Sequence, residues 1–365
     1  MEMMALLGAG GGKKKDDKEL NIANVIGISA VSPYKDGNYM LSFSRLGSGE
    51  QLTYRMEGRA PKSIEEARLS VDFKRFAELC KTLTGDISLA FATSKLTLGV
   101  AGSEYNLTTV GAEVVETSSP EGGAEVTTDW MISASRFCSM AIARDAAGIR
   151  RCIEIIFKTE NTTCYAAKSS SVARYTVINT GGESLKNICV LPSQLEHIAE
   201  LSDGESVRLV KDAKGMLHAA TARFSYLAYP LEGKPLPAAQ LFEKAAPTRT
   251  ISIDRSRLIA ALSRASAVIG DDVTAMDKVN LNTDKENFYV SVSSVAGEGV
   301  EIIPMDGIKG NTSEQKISMS AKQMLRIVGG LMGETVVIKN STALAPMYLS
   351  AAGSDNTIIL APMRG

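Results

Sequence analysis

Histidine is nearly absent from this chain, whose 365 residues include only His197 and His218. Neither lies near a carboxylate or nucleophile in a catalytic spacing, and the P-loop, GxGxxG, GxSxG and HExxH patterns are missing as well. Paired acids such as Asp271-Asp272 and Glu65-Glu66 are more typical of solvated turns than of metal ligands. These absences predict a protein that is not an enzyme and that uses no cofactor and no metal.

Cysteine pairs and long apolar runs are also lacking. The cysteines form no CxxC and sit inside apolar runs, which predicts reduced, buried thiols at Cys80, Cys138, Cys152, Cys164 and Cys189. No apolar stretch approaches the roughly 20 residues that a membrane span needs. The N-terminal segment has its apolar part before its basic part, the reverse of a secretory signal. We therefore expect a soluble, cytoplasmic protein without membrane attachment.

What the sequence does contain is a repeat. The segments VDFKRFAELCKTLTGDISLAF, VLPSQLEHIAELSDGESVRLV and ISMSAKQMLRIVGGLMGETVVIKN each show an extended start, a helical pattern, a Gly-acid pair and a strand. Aligned on Gly85, Gly204 and Gly333, their apolar positions fall on one helical face, and each glycine is predicted to end its helix in the left-handed conformation. A second unit, ISASRFCS, resembles ISIDRSRL and matches Arg136 with Arg257.

Between the helical segments the chain alternates in polarity, is rich in β-branched residues and is punctuated by turns such as YKDGNY, DAKG and TDKEN. Two helices in about 120 residues are too few to serve as the crossovers of a parallel sheet. The pattern predicts an α+β fold of three tandem, two-helix, β-rich domains. Boundaries at linker-like composition give residues 1–122, with an atypical N-terminal part, 123–246 and 247–365.

Four helical segments carry pairs of basic residues four, seven or eight positions apart, which lie on or near one helical face. These pairs are Lys74 with Lys81, Arg136 with Arg144, Arg257 with Arg264, and Lys322 with Arg326. Surface helices commonly carry Lys and Arg, and the helix near 192–202 has neither. A repeated basic face without base-reading motifs nevertheless favours sequence-independent contact with phosphates, although the net charge is only -1.

The three tandem domains, the segment VDFKRFAELCKTLTGDISLAFATSKLTLGVAGSEYNLTTV, the junction LEGKPLP and the terminal APMR together resemble the bacterial sliding clamp, the β subunit of DNA polymerase III. The resemblance covers roughly residues 24 to 365. It implies a head-to-tail homodimer that closes a ring around duplex DNA, with the helices lining the hole. Such a protein performs no chemistry. It is loaded by an ATP-dependent clamp loader and tethers DNA polymerase and other replication or repair proteins.

The resemblance also implies an apolar cleft for client peptides between domains two and three. Carried over by position, the cleft comprises Cys152, Ser169, Ser170, Ser171, Val172, Pro237, Leu241, Phe242, Ile359, Leu360, Ala361, Pro362, Met363 and Arg364. It places Tyr105 and Leu107 against Val268 and Ile269 at the dimer interface. The chain departs from the family at AKSSSV (167–172), at AAQLF in the linker and at the N-terminus, as expected of a divergent clamp with its own loader and clients.

Two other readings remain open at the level of sequence. Repeated β-rich domains also suit a structural or assembly protein, such as a viral particle or tail component. That reading does not account for the basic helices or for the terminal APMR. An enzyme with an unrecognised site is disfavoured by the scarcity of clustered polar residues.

Overall fold

The computed structural model describes residues 24–31, 38–47, 49–59, 66–111, 121–142, 148–158, 160–168, 170–178, 187–243, 247–270, 277–295 and 297–363. The predicted short N-terminal segment of domain one and Arg144 lie outside these ranges. Within them, no helix is long and apolar enough to cross a membrane.

Strands make up most of the regular structure. In chain order they are β1 (Val25–Val31), β2 (Asn38–Leu46), β3 (Glu50–Arg59), β4 (Ala67–Asp72), β5 (Ser88–Ala92), β6 (Lys95–Val100), β7 (Ser103–Thr108), β8 (Ala124–Val126), β9 (Ile153–Phe157), β10 (Asn161–Lys168), β11 (Ser171–Ile178), β12 (Ile188–Val190), β13 (Val207–Lys211), β14 (Leu217–Ala220), β15 (Phe224–Ala228), β16 (Arg249–Asp254), β17 (Lys278–Thr283), β18 (Asn287–Ser294), β19 (Gly297–Gly310), β20 (Ile317–Ser320), β21 (Thr335–Asn340), β22 (Met347–Ala351) and β23 (Thr357–Leu360).

Helices are fewer and shorter. They are α1 (Phe73–Thr82), α2 (Thr128–Ser139), α3 (Pro192–Ser202), α4 (Ala238–Glu243), α5 (Arg255–Ile269) and α6 (Ala321–Gly330), with a 3-10 turn at Gly148–Arg151. Aspartate or serine side chains cap three of them by accepting a backbone N–H from the first turn, at Asp72, Asp254 and Ser320.

The order of elements repeats along the chain. The second copy runs β8, α2, β9 to β12, α3, β13 to β15, and the third runs β16, α5, β17 to β20, α6, β21 to β23. The described part of the first copy runs β1 to β4, α1, β5 to β7, which is the same order without its first strand and helix. The predicted α+β fold with three copies is therefore confirmed. The exact boundaries 1–122, 123–246 and 247–365 stay predictions.

Antiparallel sheets carry the strands of two compact units. One unit, from residues 24–131 and 194–230, holds the sheet β4-β1-β2-β3-β15-β14-β13-β8 and the sheet β5-β6-β7. The other, from 132–178, 187–193 and 231–363, holds the sheet β12-β9-β10-β11-β23-β22-β21-β16-β19-β18-β17-β20. Each larger sheet crosses a junction between copies, through β3 with β15 and through β11 with β23.

Amphipathic helices pack on these sheets. The buried Phe76 of α1 stacks on Phe43 of β2, with ring centroids 6.1 Å apart. In the third copy α5 and α6 pack on each other, and the side chain of Arg255 donates to the carbonyls of Val328 and Gly329 at the end of α6. The carbonyls that a helix leaves unpaired at its C-terminus are thereby satisfied by a side chain.

Three predictions about local structure are corrected. Gly85, Gly204 and Gly333 all have positive φ, but Gly85 and Gly333 lie three residues beyond the ends of α1 and α6. They shape the turn into the next strand and do not cap the helix.

The alignment of ISASRFCS with ISIDRSRL through Arg136 and Arg257 is also wrong, because it pairs Ile132, which lies inside helix α2, with Ile253, which lies in strand β16. Thirdly, all five cysteines are free, as expected, but Cys80 and Cys189 are half-buried and only the other three are buried.

Candidate functional site

A compact apolar cluster occupies one face of the twelve-stranded sheet near the junction of the second and third copies. Its buried members are Ala167, Val172, Ala238 and Ile359, with Tyr165, Phe242 and Tyr348 packed against them. We call these seven residues the junction cluster. Val172, Phe242 and Ile359 were predicted as cleft residues, and the structure brings all three together.

Strand register explains why these residues meet. Val172 of β11 lies opposite Ala167 of β10 on one side and Ile359 of β23 on the other. Ile359 in turn lies opposite Tyr348 of β22. Residues directly opposite each other in a ladder share a face of the sheet, so four neighbouring strands build one apolar strip.

Helix α4 covers this strip. It is formed by the linker segment AAQLFE, and it contributes the buried Ala238 and the half-buried Phe242. The Phe242 ring lies 5.9 Å from that of Tyr165, and the Arg174 guanidinium lies 4.7 Å from its centroid on another side. Burial raises the pKa of Tyr165, so its hydroxyl stays neutral.

Exposed apolar side chains lie beside the junction cluster. Leu241 on α4 is 47% exposed, Leu236 is 45% exposed and Pro237 is exposed. A small cavity of about 10 Å³, with room for about one water, extends from the cluster. It is lined by Ile149, Arg150, Cys152, Glu154, Tyr165, Ala167, Pro235, Leu236 and Ala238.

Cys152 is a wall of that cavity and not a nucleophile. A hydrogen bond with the Cys189 thiol and burial raise the pKa of Cys152 far above its ordinary value. Since the thiolate is the reactive form, this thiol is inert near neutral pH. The predicted position of Cys152 beside the cleft fits this apolar role.

The C-terminal residues are held by main-chain hydrogen bonds. Ala361 N–H donates to the Ser170 carbonyl and Met363 N–H donates to the Ser318 carbonyl, each at 2.8 Å. Ala361, Pro362 and Met363 are all half-buried. The predicted cleft members Ser169 and Arg364 lie outside the described residues.

Two of the predicted cleft residues face the other way. Ser171 and Leu360 lie opposite each other one position from Val172 and Ile359, so they point to the opposite face of the sheet. Ser171 is buried and its hydroxyl donates to the Ala141 carbonyl, and Leu360 is buried in the core. Their assignment to the cleft is therefore corrected.

Sequence reasoning missed four members of the junction cluster: Tyr165, Ala167, Ala238 and Tyr348. The alternation in NTTCYAAK places Tyr165 and Ala167 on one face of a strand, so it could have found these two. Tyr348 is added only by the pairing of β22 with β23. That contact joins distant parts of the sequence, and no local pattern indicates it.

Five of the predicted basic residues are exposed on helices: Lys74, Lys81, Arg136, Arg257 and Lys322. Two others are already engaged. The Arg264 guanidinium forms a bidentate ion pair with Glu301, at 2.6 Å and 2.7 Å. The half-buried Arg326 donates to the carbonyl of Met140, the residue that follows α2. The geometry thus distinguishes exposed cations from Arg264 and Arg326, whose guanidinium groups bind within the protein.

The strands predicted for the dimer interface have open edges. The outer edge of β7, which carries the 42% exposed Tyr105 and the half-buried Leu107, pairs with no described strand. Among the described strands, the N-terminal half of β19 pairs with β18 alone, and it exposes Val300 and Ile302. Val268 is half-buried, but Ile269 is only 4% exposed and packs in its own core, so it has little surface to offer a partner.

Within the described part of the chain no group of three or more His, Cys, Asp or Glu residues is arranged to hold a metal ion. The candidate features of the described residues are therefore surfaces: an apolar strip with exposed apolar side chains beside it, helices with exposed cations, and strand edges that pair with no described strand. Surfaces of this kind bind macromolecules.

No family model and no curated protein matches the sequence. Solved structures of one fold do. A DNA polymerase sliding clamp from Bacillus subtilis has 17% identity and a TM-score of 0.82, covering 100% of this chain and 96% of that one. The DNA polymerase III subunit beta from Pseudomonas aeruginosa has 16% identity and a TM-score of 0.81, with coverage of 99% and 96%. A sliding clamp from the same species, bound to griselimycin, has 16% identity and a TM-score of 0.80, with coverage of 100% and 97%. The chain therefore has the sliding clamp fold.

Proposed function

We propose that this chain is a DNA sliding clamp, a non-catalytic processivity factor that closes a ring around duplex DNA in the cytoplasm and tethers the replicative polymerase. The observation that carries the proposal is the likeness to solved bacterial clamps over 100% of the chain at a TM-score of 0.82. At 17% identity this likeness fixes the fold, and the function rests in addition on the surfaces described above.

The ring follows from the repeat. Helices α1, α3 and α6 correspond to one another in the three copies, and the strands two places before them are β3, β11 and β19. Within the chain, β3 pairs with β15, the last strand of the second copy, and β11 pairs with β23, the last strand of the third copy. The strands left over by this rule are β19 of the third copy and β7, the last strand of the first copy. Each has an edge that pairs with no described strand, so β19 of one molecule can pair with β7 of another. Two molecules joined head to tail at both ends give a closed homodimer of six domains.

The internal junctions also predict the register of this contact. Ser171, the first residue of β11, lies opposite Leu360, the last of β23, and Glu50 lies opposite Ala228 in the same way. Applied to the third junction, the rule sets Gly297 opposite Thr108 of the other molecule. Val300 then lies opposite Tyr105.

The exposed cations on the helices supply the DNA contact. Long Lys and Arg side chains bind phosphates without reading the bases, so affinity does not change as the ring moves along the duplex. Topological closure retains the ring, which is consistent with a net charge of only -1.

The junction cluster, with Leu236, Pro237 and Leu241 beside it, forms the client site. Its strip of aromatic, aliphatic and proline side chains suits a short apolar peptide from DNA polymerase, from an ATP-dependent clamp loader or from other replication and repair proteins. The half-buried Ala361, Pro362 and Met363 lie beside β11 and β20. The exposed side chains of Leu236, Pro237 and Leu241 are the part of this site that a peptide can reach.

Paired cysteines test the ring directly. Val300→Cys and Tyr105→Cys in one chain should give a covalent dimer on mild oxidation, whereas Glu298→Cys with Tyr105→Cys, off register by two residues, should cross-link far less. The cross-linked ring, closed by a loader, should stay on circular DNA and slide off linear DNA. Equal loss from both DNAs would refute topological tethering.

A structural or assembly protein is the second candidate, because the same two open edges could also propagate an open head-to-tail chain. Light scattering separates the two. A stable species of twice 38.9 kDa supports the ring, and an open-ended polymer supports assembly.

A further inference from the structure

A cavity of about 290 Å³ lies in the second compact unit, apart from the junction cluster. It is bounded by the C-terminal half of α2, by β11, by the segment that follows α6 and by the connection between β22 and β23. Its lining residues are Ser133, Arg136, Phe137, Tyr175, Gly330, Leu331, Met332, Ala351, Ser354 and Asn356. Its volume is near the lower end of the roughly 300–1,000 Å³ typical of small-molecule sites.

The lining carries one formal charge. Arg136 is exposed and forms no ion pair within the described part of the chain, and none of the ten lining residues is acidic. A cation beside a cavity without a counter-charge favours an anionic ligand, and a guanidinium binds phosphate in a two-pronged geometry.

One wall is aromatic. The rings of Phe137 and Tyr175 lie 5.7 Å apart at 46°. Burial raises the pKa of Tyr175, and a hydrogen bond with Ser133 partly offsets that rise, so the phenol is neutral and fixed in place. Neutral aromatic faces of this kind are the surfaces on which nucleobases stack.

Another part of the cavity wall is the side-chain amide of Asn356. Asn356 Oδ1 accepts the Thr176 N–H at 2.7 Å, and the Ser354 hydroxyl accepts the Asn356 N–H at 3.1 Å. The first bond orients the side-chain amide through its oxygen and the second holds the Asn356 backbone, so the donor that this side chain can offer a ligand is its Nδ2. Base edges present ring-nitrogen and carbonyl acceptors that match such a donor.

We propose that this cavity binds a single unpaired nucleotide, with its phosphate on Arg136, its base against Phe137 and Tyr175, and a base acceptor on the Asn356 amide. The inference rests on the proposed function to the extent that an unpaired nucleotide is available where a clamp meets a primer end or a single-stranded gap. Continuity favours this ligand, because Arg136 also belongs to the helical cations assigned to DNA contact.

Binding is measured with the full-length protein and no loader, by fluorescence anisotropy of a labelled oligothymidylate of about ten nucleotides. Arg136→Gln and Asn356→Asp should each weaken binding about tenfold, equivalent to about 1.4 kcal/mol. Asn356→Asp is informative because it keeps the oxygen that accepts from Thr176 and replaces the donor with a negative charge. Lys339→Gln, the same loss of charge on the exposed β21 residue, is the control and should leave binding unchanged.

Thymidine monophosphate distinguishes the source of the ligand. Competition at equal concentrations of nucleotide supports a free-nucleotide site, and failure to compete supports a site for a DNA strand. No detectable binding of either probe would overturn the inference. Equal binding by wild type, Arg136→Gln and Asn356→Asp would also overturn it, as would displacement of the probe by a short apolar peptide. Retention of Asn356→Asp on circular duplex is measured separately, so the clamp function can hold while the nucleotide site fails.

Discussion

The ion pair between Arg264 and Glu301 leads to opposite predictions for neighbouring residues on one helix. Arg257 and Arg264 are both exposed on α5, but within the described residues it is the Arg264 guanidinium that a carboxylate binds, at 2.6 Å and 2.7 Å. Hydrogen bonding to Glu301 raises the pKa of Arg264, and the same contact lowers the pKa of Glu301, so the pair remains fully ionised and nearly neutral in sum. Arg257→Gln should therefore weaken DNA binding far more than Arg264→Gln.

The expected size follows from counterion release. Each phosphate contact contributes about 0.9 to the slope of log affinity against log salt, and a dimeric ring carries each residue twice. Arg257→Gln should reduce the magnitude of this slope by about 1.8. The ratio of wild-type affinity to variant affinity should therefore change about tenfold between 50 and 200 mM salt. Arg264→Gln should change the slope by well under one. Glu301→Gln should raise it, because it frees the guanidinium.

The assay is anisotropy of a short labelled duplex over that salt range, with circular dichroism to confirm folding. Lys339→Gln again serves as the control for loss of one charge on a sheet. Equal slopes for Arg257→Gln and Arg264→Gln would show that the ion pair does not decide which cations reach DNA. A Glu301→Gln protein that binds no better than wild type would refute the same reasoning from the other side.

Three further predictions concern other parts of the molecule. Leu241→Asp places a charge on an exposed cleft residue and should abolish polymerase stimulation without loss of folding. Leu344→Asp, at an 80% exposed leucine between β21 and β22, is the control and should leave stimulation intact. Equal activity of the two variants would count against the cleft. Deletion of residues 361–365 removes the hydrogen bonds from Ala361 and Met363 and should leave a folded dimer that no longer supports processive synthesis, a result that a fully active truncated clamp would contradict. The Tyr289 hydroxyl and two backbone N–H groups lower the pKa of Asp284 to about 2, so its stabilising effect is present above its ordinary pKa near 4 and is lost as pH falls toward 2. Asp284→Asn should flatten that part of the acid-unfolding profile relative to wild type, and parallel profiles would refute the assignment.

Local patterns were sufficient for the elements of this fold. Helical periodicity ahead of each Gly-acid pair predicted α1, α3 and α6, and the recurrence of the pattern predicted three copies. Positions were less secure, because a short sequence match cannot distinguish a strand from a helix. ISASRFCS was aligned with ISIDRSRL although one begins within α2 and the other in β16.

The candidate site divides in the same way. Val172, Phe242 and Ile359 were found from sequence, but Ser171 and Leu360 were assigned to the same cleft although strand alternation points them to the opposite face. Arg326 looked equivalent to Lys322 on a helical wheel, yet it is half-buried and donates to the Met140 carbonyl. Helical spacing states which residues share a face but not what packs against that face.

The sequence by itself determined the repeat, the class of each element and the absence of recognisable catalytic motifs, because these depend on residue type and on spacings of a few positions. Only the tertiary structure decided which cations are engaged by the protein itself, which cleft residues share a surface and which strand edges pair with no described strand. Each of those depends on contacts between residues far apart in the chain, such as Arg264 with Glu301 and Tyr348 with Ile359. A single sequence records such residues but not their pairing.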